Sequence, residues 1–414
     1  MRGSDTNRPL DVNSPAQTAL RRHRATALVG AAFLMATSAV GPGFLTQTTV
    51  FTARLGASFG FAILVSVLLD IAAQLNTWRV ITVSGRRAQD IANLVLPGLG
   101  HFLAVLIAFG GLAFNVGNMA GTGLGTNALL DVDPRWGAAA SAVVAVSIFA
   151  VREAGRAMDR FTQVLGIGMI VLMIYVMIVA APPLGEAALR TVVPLQIGIL
   201  EIVTLVGGTV GGYITFAGGH RLLDAGIHGV DALPQVQRSA LGGIGIATVI
   251  RFTLFLATLG VIAGTDILAA DNPPAAVFGA AAGNVGRRLF GLVMWSAAIT
   301  SVVGASYTSM SFLRSTLPSV ERYPRATVIL FILASTAIFV GIGQPVRLLI
   351  LAGALNGMIL PVALGVMLVA AHRRSVVGEY RHPRSLTIAG VVTAALMAGL
   401  GAYTLVRELP RLFA

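Results

Sequence analysis

The chain has 414 residues, 56% of them hydrophobic and 11% charged, with a formal net charge of +12. A soluble domain has about a quarter of its residues charged, so these charges are too few to cover a water-facing surface of this size. This excludes a soluble multidomain enzyme and predicts an all-α polytopic membrane protein.

All 29 basic residues are arginines, scattered between apolar runs rather than gathered in one stripe. That pattern argues against a nucleic-acid surface and for topology signals facing anionic lipid. With no Cys, disulfides, thiolate metal sites and cysteine nucleophiles are excluded.

Residues 1–24 are polar and end in Arg21, Arg22 and Arg24. No short apolar core with a small-residue cleavage site precedes the first apolar run, so a disordered cytoplasmic tail is expected rather than a signal peptide. Apolar runs of roughly 17 to 25 residues predict eleven spans, near 25–53, 57–78, 93–126, 136–151, 162–181, 196–219, 240–264, 288–313, 326–343, 346–371 and 386–406. With the N-terminus cytoplasmic, 20 arginines fall on the inner side and 8 on the outer, leaving Arg251 inside a span. The positive-inside rule therefore orients the chain N-terminus in and C-terminus out, in the inner cell membrane.

The first span carries Val40, Gly41, Pro42, Gly43, Phe44, Leu45 and Thr46 at mid-membrane. The sixth carries Val210, Gly211, Gly212, Tyr213, Ile214 and Thr215 at the same depth. In both, glycines precede an aromatic and a Thr, and the copies lie five spans apart, so they cross the membrane in opposite directions. This predicts a five-plus-five inverted repeat: 25–181, then 182–371, with an extra helix and outer tail in 372–414. Pro42 has no N–H and glycine has no Cβ, so both segments can unwind where freed backbone groups line a wet cavity. In such transporters substrate binds at the gaps.

The expected substrate-binding set is Gly41, Pro42, Gly43, Phe44, Leu45, Thr46 and Gln47 from the first break. Gly211, Gly212, Tyr213 and Thr215 come from the second, with Asn115 from the third span. Three ionisable groups lie inside spans. Asp70 shares a helical face with Gln74 and reads either as a proton carrier or as a helix-packing hydrogen bond. Glu201 reads as an outer gate, a coupling group or a helix cap. Arg251 needs an anion, which Asp70, Glu201 or a substrate carboxylate could supply. Ser296, Thr300 and Ser306 form a polar stripe on the eighth span.

With the breaks in place, the sequence resembles the NRAMP family of proton-coupled divalent-metal transporters. The resemblance covers most of the chain. It is carried by residues 56–60 (GASFG), 79–93, Phe114 to Asn118 with the glycines up to Gly125, and 153–163. It implies the LeuT-type fold with helices 1 and 6 broken, alternating access and coupling to a proton. The departures lie at the ion site. Aligned on its one Pro-Gly, the family's Asp-Pro-Gly-Asn corresponds here to Gly41, Pro42, Gly43 and Phe44; aligned from the helix start, the motif is missing, and neither alignment supplies a carboxylate. The helix-6 Met-Pro-His has no Met and no Pro in 207–220.

A divalent cation gives up its water only to anionic or several good neutral ligands. Thr46, Gln47, Thr48, Thr49, Tyr213 and Thr215 offer neutral groups only, and helix N-termini at the breaks favour a carboxylate. The sequence thus predicts a proton-coupled secondary transporter of a small carboxylate or amino-acid-like solute. The motif pattern is similar to an NRAMP-related bacterial branch whose genes often accompany 5-oxoprolinase genes, which implies 5-oxoproline as first candidate. The alternative is a divalent-metal transporter with a non-standard site. An enzyme is not expected, most of the six histidines falling in loops or at span ends. No resident cofactor or metal is expected, and the partners are a small solute, a coupling ion and the lipid bilayer.

Overall fold

The computed structural model describes residues 41–264, 266–314 and 317–410, with the main chain alone over 152–163. The predicted tail and the first half of the first span lie outside the described residues. Every regular element described is helical.

Helix α1 (Pro42–Leu55) runs through Gly56–Ser58 into α2 (Phe59–Ser84), followed by the short α3 (Ala88–Val95). Then come α4 (Leu99–Leu130), α5 (Pro134–Ala150), α6 (Arg152–Ala180) and α7 (Leu184–Val192). The broken pair α8 (Ile199–Val210) and α9 (Gly212–Asp224) leads into α10 (Leu233–Ile262) and α11 (Pro273–Leu313). The chain closes with α12 (Pro318–Arg322), α13 (Pro324–Ile342), α14 (Pro345–Ala370), α15 (Arg374–Val377) and α16 (Arg384–Tyr403).

Local chemistry sets these limits. Pro42, Pro134, Pro273, Pro324 and Pro345 each open a helix, where the missing N–H costs nothing. Helix α2 stops at Gly85 in the left-handed region. Helix α11 is bent at Ala282 and Gly283, the latter at φ +62°, so the expected span near 288–313 is only its straight second part. The expected span 93–126 likewise divides into α3 and α4.

Among the described residues eight helical stretches are long and apolar enough to cross a membrane, or nine if a bent pair counts as one span. One of these stretches, Pro42–Ser84, contains the second half of the predicted first span and all of the second, and Pro134–Ala150 is shorter than the rest. The predicted eleven is therefore not established.

Close packing depends on small residues. A Cβ on Gly207 of α8 would strike the backbone of Gly353 and Gly357 of α14, and one on Gly125 of α4 would sit 2.6 Å from the Trp295 nitrogen of α11. Such seams let helix backbones touch where lipid supplies no hydrophobic drive. One apolar cluster joins the start of α1 to α4, α10, α11 and α13. A second joins the end of α1 to α2, α8, α10 and α14. The start of α1 and the α8–α9 junction are thereby held in the interior.

Candidate functional site

The second break lies where the glycines predict it. Helix α8 ends at Val210, Gly211 is extended with ψ 159°, and α9 restarts at Gly212. No side chain caps the new N-terminus, and the Gly211 carbonyl accepts from Ile214 and Thr215. The other motif matches it: Gly41 is extended with ψ 178°, Pro42 opens α1, and no side chain caps that end. Each site thus presents first-turn N–H groups that have no partner within the helix.

One buried cation links the two. Arg251 of α10 is 2% exposed. Its guanidinium carbon lies 4.7 Å from the centre of the Phe44 ring, and its Nη2 donates to the Thr209 hydroxyl at 3.1 Å. Phe44 is in the first turn of α1 and Thr209 in the last turn of α8, so Arg251 touches both broken elements. Its Nε is buried without a partner.

Asp70 of α2, 1% exposed, lies beside Thr209 and within electrostatic reach of Arg251. Neither of its oxygens has a well-formed hydrogen bond. The reason is that Thr209 directs its proton to the Leu205 carbonyl at 2.8 Å and turns its oxygen to Arg251. Asp70 and Arg251 are not among the ion pairs formed by the described residues.

The face shared by Asp70 and Gln74 is used as its spacing suggests, bracketing the break. Asp70 meets Thr209 before it, and Gln74 accepts from the Thr215 hydroxyl at 2.9 Å after it. Trp78, a further turn along, donates from its indole nitrogen to the Thr215 carbonyl at 2.8 Å.

On α1, Thr46, Thr48 and Thr49 are fully buried and their hydroxyls have no partner. Gln47 donates to the Leu349 carbonyl at 2.9 Å, and its own carbonyl oxygen is unpaired. Two surface hollows, beside Ala53 and Asp266 and beside Tyr307 and Arg314, are lined by none of the break residues.

Several expected binders turn elsewhere. Leu45 is packed in the apolar cluster with α4. Thr215 spends its hydroxyl on Gln74. Tyr213 lies against Phe114, ring centres 6.1 Å apart. Asn115 donates to Ser306 and Ser335, both at 3.0 Å, so its amide ties α4 to α11 and α13. Glu201 sits in the first turn of α8, bonded to its own backbone and in reach of Arg54 and Glu408, remote from Arg251 in its partners.

Two residues at the break were not anticipated. Thr209 is the hinge of the Asp70–Arg251 network. Asn356 of α14 packs its Cβ where a Gly211 side chain would go, donates to the Gly110 carbonyl at 2.9 Å, and has an unpaired oxygen. Each is a polar residue within an apolar run beside glycines, a signal the sequence does carry.

A helical bundle crossed by an interrupted helix, with unpaired polar groups buried at the interruption, is the architecture of a multi-pass membrane transporter. The family described as natural resistance-associated macrophage protein-like (Nramp) matches residues 32–407, and the chain belongs to this family. An uncharacterized membrane protein of Bacillus subtilis, YcsG, is 58% identical over 386 residues, 93% of this chain and 96% of that protein. An uncharacterized membrane protein of Haemophilus influenzae is 52% identical, covering 94% and 98%. Among solved structures, a mutant of the Eremococcus coleocola manganese transporter superposes with a TM-score of 0.75 at 13% identity, over 99% of this chain and 91% of that one. The same transporter bound to an aromatic bis-isothiourea compound gives 0.72 at 14% identity, over 96% and 89%. The fold is thus that of the Nramp transporters, of LeuT type.

Proposed function

We propose that this protein is a secondary active transporter of the inner membrane that carries a small organic carboxylate together with a proton. Alternating access would come from rocking of the broken-helix bundle about Gly41–Gly43 and Gly211–Gly212. The observation that carries the choice of cargo is the Arg251 guanidinium, buried between the two breaks with its Nε unpaired.

The comparisons fit the divalent-metal alternative better. The family is one of metal-ion transporters, the structural neighbours are manganese transporters, and no relative supports 5-oxoproline. The chemistry of this site favours the organic anion. Neither alignment of the first break with the metal transporters' Asp-Pro-Gly-Asn supplies a carboxylate, and no group of three His, Cys, Asp or Glu able to hold a metal occurs among the described residues. A divalent ion ~5 Å from a fixed guanidinium would be opposed by about 7 kcal/mol at an effective dielectric constant of ~20, and a carboxylate there favoured by about 3. The uncapped N-termini of α1 and α9 add to the preference for an anion.

Purified protein in liposomes separates the two. Saturable uptake and counterflow of radiolabelled 5-oxoproline or a related small acid, with no accumulation of Mn²⁺ or Cd²⁺, is the expected result. Metal uptake that disappears on substituting Thr46 or Gln47 would instead establish the metal reading. Non-saturating flux indifferent to a proton gradient would indicate a channel.

A further inference from the structure

We propose that Asp70 is the proton-coupling group of the transport cycle, and that Arg251 switches its charge between Asp70 and the carboxylate of the cargo. The inference rests on the carboxylate reading and adds to it the residue that carries the proton and the reason the two fluxes are linked.

The starting point is an ionic pair held close but not joined. Asp70 and Arg251 are both buried, on neighbouring helices α2 and α10, and both lie next to Thr209. A structural ion pair in so dry a place would close its hydrogen bonds, because an unpaired buried charge is costly. Here both Asp70 oxygens and the Arg251 Nε are left open. Thr209 lies beside Asp70 but points its proton to Leu205 and its oxygen to Arg251, so the carboxylate is left without a well-formed bond.

The described surroundings leave Asp70 no other counter-charge. Among the described residues, Arg251 is the charged group whose field reaches it. Glu201 of α8 faces Arg54 and Glu408, and His220 of α9 faces Arg87. Gln74, one turn along α2, is engaged by Thr215.

In the empty carrier Arg251 balances Asp70 through space. A carboxylate docking at the breaks accepts from the open Nε–H of Arg251 and draws the guanidinium's charge to itself. Asp70 is then an uncompensated anion in a buried place without a donor. It takes one proton from the water on the open side and becomes a neutral carboxylic acid. The loaded site, with Arg251 positive, cargo negative and Asp70 neutral, has the same net charge as the empty site plus one bound anion and one bound proton. The bundle therefore rocks without moving net charge. Release on the other side reverses each step: the cargo leaves, Arg251 again favours ionised Asp70, and the proton follows.

Linkage then requires that affinity for the anion rise as pH falls, approaching about tenfold per pH unit where Asp70 is ionised in the empty carrier. The test is binding of a panel of small acids (5-oxoproline, L-lactate, L-proline and succinate) to the full-length protein in detergent, with proton uptake read in weakly buffered solution from pH 5.5 to 8. Wild type should take up about one proton per anion bound over the pH range where affinity changes. Asp70→Asn should bind the same acid with no pH dependence and no proton uptake, and Asp70→Glu should restore both. Binding by wild type without proton uptake overturns the coupling role of Asp70 while leaving the carboxylate reading intact. Proton uptake that persists in Asp70→Asn overturns it as well. Binding of none of the acids, with Mn²⁺ binding instead, overturns the carboxylate reading itself. If Asp70→Asn does not fold, Asp70→Glu decides: the longer carboxylate should move the pH window of proton uptake, and a window identical to wild type overturns the role of Asp70.

Discussion

The Arg251 guanidinium stacks on the Phe44 ring at 4.7 Å while donating to Thr209 at 3.1 Å, so one side chain spans both interrupted helices. A buried cation–π contact contributes about 2 kcal/mol, and the hydrogen bond fixes the plane of the guanidinium. Aligned on Pro42 and Gly43, the resemblance puts Phe44 opposite a metal-liganding Asn. Under the proposed carboxylate reading, the ring at Phe44 and the arginine above it act together, presenting a cation to the cargo.

Removing that cation should cost both stability and binding. Arg251→Gln leaves Asp70 buried without a counter-charge, a loss on the order of 3 kcal/mol, seen as a lower unfolding temperature in detergent. Adding Asp70→Asn should recover most of that stability, because the stranded charge is gone. Carboxylate binding should stay lost in the double variant. A double variant as unstable as Arg251→Gln alone would mean that the two residues are not energetically coupled.

The glycines of the breaks are not equivalent. A Cβ on Gly43 would meet only the Gln47 amide nitrogen, at 3.5 Å, an ordinary contact. On Gly207 it would meet the backbone of Gly353 and Gly357, which cannot turn aside as a side chain can. Gly43→Ala should therefore express and bind cargo nearly as wild type does. Gly207→Ala should force α8 from α14, lowering the unfolding temperature and abolishing transport. Gly212→Leu is expected to abolish transport as well, since Ile359 already fills the space beside it. Uptake rates and thermal unfolding of the three variants check the order.

Thr215 illustrates a second division of labour. Its hydroxyl donates to Gln74 and its carbonyl accepts from Trp78, which pins α9 to α2 just past the break. Thr215→Val keeps the shape and leaves the Gln74 oxygen without this donor, at a cost of about 1 to 3 kcal/mol. Stability should fall while affinity for the cargo changes little. A large affinity loss with normal stability would return Thr215 to the binding set.

Much of this frame is legible in the chain because it rests on local rules. Glycine beside proline or glycine at mid-span marks an interruption whatever surrounds it, and Gly211 is where the backbone turns extended. Arg251 as an intramembrane charge in need of a partner follows from the cost of burying it. Which neighbour it meets depends on tertiary packing. Phe44 and Thr209 are 207 and 42 positions away in the sequence, and no periodicity links them. Asn115 shows the same dependence on packing, its amide nitrogen engaged while its oxygen stays unpaired. Its position on the third span suits a site residue, and the span pattern does not reveal that Ser306 and Ser335 face its nitrogen. The span count was also blurred, since α1 and α2 run on through Gly56–Ser58 as one apolar stretch.

The loop before α16 gives the protein a response to acid that is separate from transport. Asn76 of α2 donates from its amide nitrogen to the carbonyls of Ala72 and Leu386, so its oxygen is the acceptor, and His382 Nε2–H donates to it at 2.8 Å. The other ring nitrogen of His382 is buried without a partner. Burial, with Arg79 and His372 close by, pushes His382 down to about 4. The folded protein therefore holds the neutral ring where the unfolded chain, near 6.5, would already bind a proton. Stability from this site is full above about 6.5 and is lost as pH falls towards 4, because the unfolded state then binds more protons than the folded one. The unfolding temperature in detergent should drop across that window in wild type. His382→Gln, which can still donate to Asn76 but cannot titrate, should flatten that part of the drop. An unchanged slope in the variant would place the acid sensitivity elsewhere in the chain.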